Sequence, residues 1–178
     1  MKYPDIFHMV SDIFNKNGVT CVLIGGFAVN FHKVQRATMD VDFLTTRKKF
    51  EAVFGFLEKE GFKKFSEHEN FAQLENDKEY LGKLDFMFVD QDVLDKIAKE
   101  GKQVVIAGQD FKVPSLFHLI ALKLHTVKFE KKREYKDLMD IVDLIRSNKI
   151  DIRSGEFRSL CLKFGTQELY DRILNHLG

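Results

Sequence analysis

Three aspartates set in apolar, strand-like runs constrain this chain more than any other feature. Asp40 and Asp42 stand in Asp40-Val41-Asp42-Phe43-Leu44, and Asp85 stands in Lys83-Leu84-Asp85-Phe86-Met87-Phe88-Val89. Alternate side chains of a strand share a face. A strand over 40–44 therefore projects Asp40 and Asp42 together and turns Val41 and Phe43 to a core, while Leu84 and Phe86 share the face opposite Asp85. Neighbouring carboxylates repel, and each is costly to desolvate. A cation between them relieves both costs, and hard carboxylate oxygens favour Mg2+ or Mn2+ over zinc. On spacing alone the alternatives stay open. Asp40 can cap a turn at a solvated strand end. Asp85 can pair with a lysine or arginine, or lie on the exposed face of an antiparallel strand.

The segment before the first two acids has its own pattern. Val19 to Ile24 is a continuous apolar run, as expected of a strand covered on both sides, and Gly25-Gly26 ends it. A short helix is predicted from Phe27 to His32. Without Cβ atoms, the glycine backbone can approach a phosphate closely at a helix start. The pair is neither a Walker A nor a dinucleotide-binding fingerprint, since the lysine of one and the third glycine of the other are missing. Arg36 can reach a phosphate, and the Thr38 hydroxyl can orient a phosphate or a carboxylate. Both also suit a surface loop.

Periodicity predicts helices over 5–17, 47–60 and 92–99, strands near 62–65, 71–75 and 80–89, and a hairpin over 104–113. From Pro114 the character changes. Ser115 is a candidate N-cap, and helices fit 116–127, 135–147, about 154–164 and 166–176. The chain thus divides into an α/β part, 1–113, and a helical part, 114–178. On the helix over 116–127, Lys123 shares a face with Leu116, Leu119 and Ile120. A lysine there either reaches the edge of the apolar surface or meets an anion, for which a triphosphate, Asp42 and Asp85 are candidates. The run Lys128 to Lys136 is locally basic and can grip a triphosphate or a nucleic acid, or be a solvated connection. Asp137 falls in the first turn of the next helix, where it suits the dipole and can pair with Arg133.

A formal net charge of +1 argues against a global field for nucleic acid. No apolar run approaches the ~20 residues that span a bilayer, so no membrane role is expected. Cys21 and Cys161 read as free thiols of a reducing cytoplasm. The six histidines form no metal set.

Taken together, Ile24-Gly25-Gly26, thirteen intervening residues, Asp40-Val41-Asp42 and the later Leu84-Asp85-Phe86 resemble the pattern of the DNA polymerase β-like nucleotidyltransferase superfamily. Arg36-x-Thr38 before the acids, Val113-Pro114-Ser115 leading to Leu122-Lys123-Leu124, and Arg133-x-x-x-Asp137-Leu138-x-Asp140 extend the likeness over residues 20–145. The chain looks most like the small prokaryotic members, including the AbiEii-type toxins. Many relatives have Ser where this chain has Gly26.

The resemblance implies an α+β fold, a mixed sheet flanked by helices and followed by a C-terminal helical bundle. It implies catalytic and metal-binding roles for Asp40, Asp42 and Asp85 with Mg2+ or Mn2+. It also implies nucleotide contacts from Gly25, Gly26, Arg36, Thr38, Lys123, Arg133 and Asp137. The reaction implied is transfer of NMP from an NTP to a hydroxyl of a tRNA, a protein or a small molecule, with loss of pyrophosphate. Two rivals are a non-catalytic nucleotide- or partner-binding member, such as one component of a toxin–antitoxin pair with its cognate antitoxin, and a metal-dependent phosphohydrolase.

Overall fold

Asp5 opens the first helix, its carboxylate accepting from the His8 amide at 2.9 Å. From there a computed structural model describes residues 2–178. These fall into two units: residues up to Ala28 with Ala37–Pro114, and Val29–Arg36 with Ser115–Gly178. The chain is an α+β protein with a five-stranded mixed sheet.

The first unit runs α1 (Ile6–Lys16), β1 (Val22–Leu23), the start of α2 (Gly25–Phe31), β2 (Val41–Thr45), α3 (Arg47–Lys59), β3 (Phe62–His68), β4 (Phe71–Asn76), β5 (Lys83–Phe88), α4 (Gln91–Glu100), β6 (Lys102–Ile106) and β7 (Gln109–Val113). The sheet order is β1-β2-β5-β4-β3, and β6 and β7 form a separate hairpin. Among the described residues, β2 and β5 are the only parallel pair. Phenylalanine fills one face of this pair. Phe43 stacks on Phe86 at 5.9 Å between centroids, Phe14 meets Phe43 edge-on at 5.1 Å, and Phe50 lies 4.9 Å from Phe86. Val41, Phe43, Leu84 and Phe86 are all buried, as alternation requires.

Several boundaries differ from the sequence expectation. The run 19–24 gives only a two-residue strand, because its start is tied elsewhere: the Val19 amide donates to Phe14 O at the end of α1, and Thr20 O accepts from the Thr45 hydroxyl. β2 starts at Val41, which leaves Asp40 in an exposed bend. The strand over 80–89 starts at Lys83, after a 3-10 turn over 79–81.

The second unit holds the end of α2, the loop to Arg36, and α5 (Leu116–Phe129), α6 (Glu134–Asn148), α7 (Gly155–Phe164) and α8 (Gln167–Leu177). Hydroxyl caps set three of its helix starts. Ser115 accepts from His118, Ser154 from Phe157 and Thr166 from Leu169, each satisfying an otherwise orphaned amide. α5 packs on α6 and α7 through Leu119, Ile120, Leu124, Leu138, Ile141, Ile145 and Phe157. The loop is fastened where Asn148 donates to His32 O at 2.8 Å. Cys161 is fully buried here and Cys21, in the first unit, half-buried; both are free thiols. Among the described residues no helix is long and apolar enough to cross a membrane.

Candidate active site

Asp42 and Asp85 are direct Cα partners across the parallel β2–β5 pair, and Gln73 of β4 is the next partner in the row. Paired strands lie about 4.8 Å apart, and directly opposed residues project to the same face, so the two carboxyl groups are neighbours. Both are half-buried. Asp85 accepts from the Gln73 side-chain amide at 2.9 Å. Alternation puts Gln73 on this face, since Ala72 and Leu74 turn inward on either side of it.

The glycine pair makes room for this arrangement. Gly25 has φ +60°, and a Cβ there would fall inside the Asp42 side chain, 2.8 Å from its Cβ and closer still to its carboxylate. A Cβ on Gly26 would lie 2.5 Å from both Cβ and Oγ1 of Thr38. The Ile24 amide donates to Asp42 O at 2.8 Å, which carries the β1–β2 pairing up to the glycines. Thr38 turns its hydroxyl to Asp40 O at 3.2 Å. Gly25-Gly26 thus seats one acid and the threonine that precedes the other.

Asp40 does not share this row. It is exposed, one residue before β2, and its projection with Asp42 does not follow from strand alternation there. Among the described residues, no three Asp, Glu, His or Cys side chains are gathered closely enough to hold a metal ion. What the strands bring together is the pair Asp42 and Asp85, an all-oxygen donor set of the kind that suits a hard divalent cation.

The remaining sequence candidates lie in the second unit as a buried charge network. Lys123, 5% exposed, donates to Asp137 Oδ1 at 2.8 Å and to Asp140 Oδ2 at 2.6 Å. The same Asp140 oxygen accepts from Arg36 Nη1 at 2.7 Å. Asp137 Oδ2 is buried beyond hydrogen-bond reach of a donor, but Arg133 Nε stands 3.5 Å away, near enough for charge pairing. The anions that Lys123 meets in its own unit are therefore Asp137 and Asp140. Asn30 closes the group. Its side chain accepts from the Arg36 amide at 2.8 Å and donates to Arg36 O at 2.9 Å. Sequence reasoning assigned no role to Gln73 or Asn30. The signal for Gln73 was a polar residue between two core residues of a strand; for Asn30 there was none beyond its place six residues before Arg36.

Residues 12–174 match the family model described as "Nucleotidyl transferase AbiEii toxin, Type IV TA system". The chain belongs to the AbiEii nucleotidyltransferase family. No curated protein matches it. Among solved structures it is similar to the lincosamide antibiotic adenylyltransferase LnuA in a lincomycin-bound crystal structure (19% identity over 76% of this chain and 91% of that one, TM-score 0.53). It is similar to the antibiotic-resistance factor ANT(2'')-Ia (14% identity, 97% and 95%, TM-score 0.64). A third likeness is to an antigenic nucleotidyltransferase-like protein from Paracoccidioides brasiliensis (14% identity, 94% and 89%, TM-score 0.53). At these identities the structures show a shared fold, which is the nucleotidyltransferase mixed sheet described above.

Proposed function

We propose that this chain transfers an NMP group from a nucleoside triphosphate to a hydroxyl acceptor, with Asp42, Asp85 and Asp40 holding Mg2+ or Mn2+. The observation that carries this reading is the strand register that sets Asp42 beside Asp85, with Gly25 making room for the Asp42 carboxylate. When bound, the ion would neutralise triphosphate charge and lower the pKa of the acceptor hydroxyl. Asp42, seated against Gly25, would hold it from β2. Asp85 would hold it from β5 and take the acceptor's proton, with one of its carboxylate oxygens held by the Gln73 amide. Asp40, exposed one residue before β2, would complete the donor set by turning toward this pair. The acceptor oxygen attacks the α-phosphorus in line, the bond to the pyrophosphate oxygen breaks, and the proton leaves with Asp85. Gly25, Gly26 and Thr38 line the phosphate side. Arg36 supplies positive charge to the triphosphate, backed by Lys123, Arg133 and Asp137.

The acceptor is a tRNA, a protein or a small molecule. The family's description as a type IV toxin supports a further reading of biological role, in which the enzyme is restrained by a cognate antitoxin.

Incubation with α-32P-labelled NTPs, Mg2+ and a cell extract tests the activity. The reading predicts label on a macromolecule or small molecule with wild type, and none with Asp42→Ala at unchanged melting temperature. Nucleotide binding with no transfer supports instead the non-catalytic alternative. Release of NMP or phosphate without an acceptor points to a phosphohydrolase.

A further inference from the structure

The charge network of the second unit has a surplus that it cannot satisfy internally. Lys123, Arg36 and Arg133 bring three positive charges to two carboxylates, Asp137 and Asp140. Lys123, Asp137 and Asp140 are sealed from solvent, whereas the Arg36 side chain is 20% exposed and that of Arg133 42%. The unbalanced charge is therefore displayed at the arginines. Arg36 is the more constrained of the two. Asn30 holds its backbone on both sides, and Asp140 holds Nη1. A guanidinium carries five N–H donors in a rigid fork, so the bond from Nη1 to Asp140 restrains it at one corner and leaves donors for a second anion. Arg36 also precedes Asp40 by only four residues in the chain.

We propose that Asp140 and Asn30 are positioning residues for Arg36. They hold its guanidinium and its backbone so that it meets the triphosphate pre-oriented, while Lys123 and Asp137 balance the buried end of the network. This rests on the transferase reading above. Lys123 then acts as the counter-ion of Asp140, with no phosphate contact of its own. A lysine in this place on a helix is a point charge that both carboxylates can share. The planar arginine at the exposed end gives the geometry that a phosphate can use.

The test is a set of double-mutant cycles. KM and kcat for the NTP, nucleotide binding by equilibrium dialysis, and melting temperature are measured for wild type, Asn30→Ala, Asp140→Asn, Arg36→Gln and the two pairs with Arg36→Gln. Asn30→Ala and Asp140→Asn are each expected to raise KM about tenfold, the size of one charge-assisted contact, with kcat changed much less. Neither is expected to raise KM further once Arg36 is Gln. Effects on KM that add to that of Arg36→Gln, or an unchanged KM in Asn30→Ala, overturn the proposal. Asn30 is exposed, so its replacement keeps the question open to test even if Asp140→Asn does not fold. Wild type that binds no NTP in dialysis brings down the transferase reading and this proposal together. Wild-type binding with variants indistinguishable from it brings down this proposal alone.

Discussion

The first and second units each carry a close pair of aspartates, and the two pairs live in opposite physical settings. Asp42 and Asp85 are half-buried on a sheet face, and Asp85 accepts from a neutral amide. Asp137 and Asp140 are buried on one helix, three residues apart, and are met by a lysine and two arginines. The first arrangement sets two half-buried carboxylates side by side on one face of the sheet. The second consumes its carboxylate charge internally and passes a positive charge to the arginines. Acid content alone does not separate them; the register partner and the face do.

The largest expected effect separates the pairs by stability. Removing one partner of a buried ion network leaves a charge uncompensated, which costs about 3–5 kcal/mol. Lys123→Met should lose that much in urea denaturation, whereas Asp42→Asn should lose little stability. If Lys123→Met keeps full stability and loses NTP affinity, the lysine is a nucleotide ligand and the contrast between the two pairs breaks.

A smaller effect sharpens the role of the glycines. Gly25→Ala forces a Cβ into the Asp42 side chain at a positive φ, combining a backbone penalty of about 1–2 kcal/mol with overpacking of about 1–3 kcal/mol. Denaturation should show a loss of about 2–5 kcal/mol together with loss of transfer. An alanine tolerated in both assays would mean that Asp42 has another seat.

The smallest effect belongs to the cysteines. Burial pushes the Cys161 thiol up to about 12 from its ordinary 9.0. A raised folded-state value stabilises the neutral thiol, so this residue contributes no pH-dependent instability below about 9. Above that, the unfolded thiol ionises first and stability falls as pH approaches 12. Iodoacetamide at pH 8 should leave Cys161 unmodified in the folded protein, as read by mass spectrometry. Rapid labelling would mean that α7 opens readily.

Much of this was legible in the sequence because local chemistry decides it. Ser115 capping α5, the alternation that buries Val41, Phe43, Leu84 and Phe86, and the apolar face that carries Lys123 are all properties of short segments. What escaped depends on pairing between distant segments. The β2–β5 register places Asp42 opposite Asp85 and Gln73, and no spacing along the chain encodes it. Asp40 falls outside its strand because the pairing with β5 begins at Val41. Equally invisible along the chain is that the Asp42 and Thr38 side chains occupy the space that the missing Cβ atoms of the glycine pair leave. That Lys123 meets an anion was legible, but which anion was decided by Asp137 and Asp140 of the neighbouring helix.

The central claim is that Asp42 and Asp85 form the cation-binding pair of a nucleotidyltransferase. Electron paramagnetic resonance titration of Mn2+ in the presence of a non-hydrolysable NTP tests it most directly. Wild type should remove free Mn2+ from solution, and Asp42→Asn and Asp85→Asn should each weaken this at least tenfold, about 1.4 kcal/mol, while Asp143→Asn, at an exposed position of α6, leaves wild-type Mn2+ affinity. Equal Mn2+ binding by wild type and both sheet variants would contradict the claim.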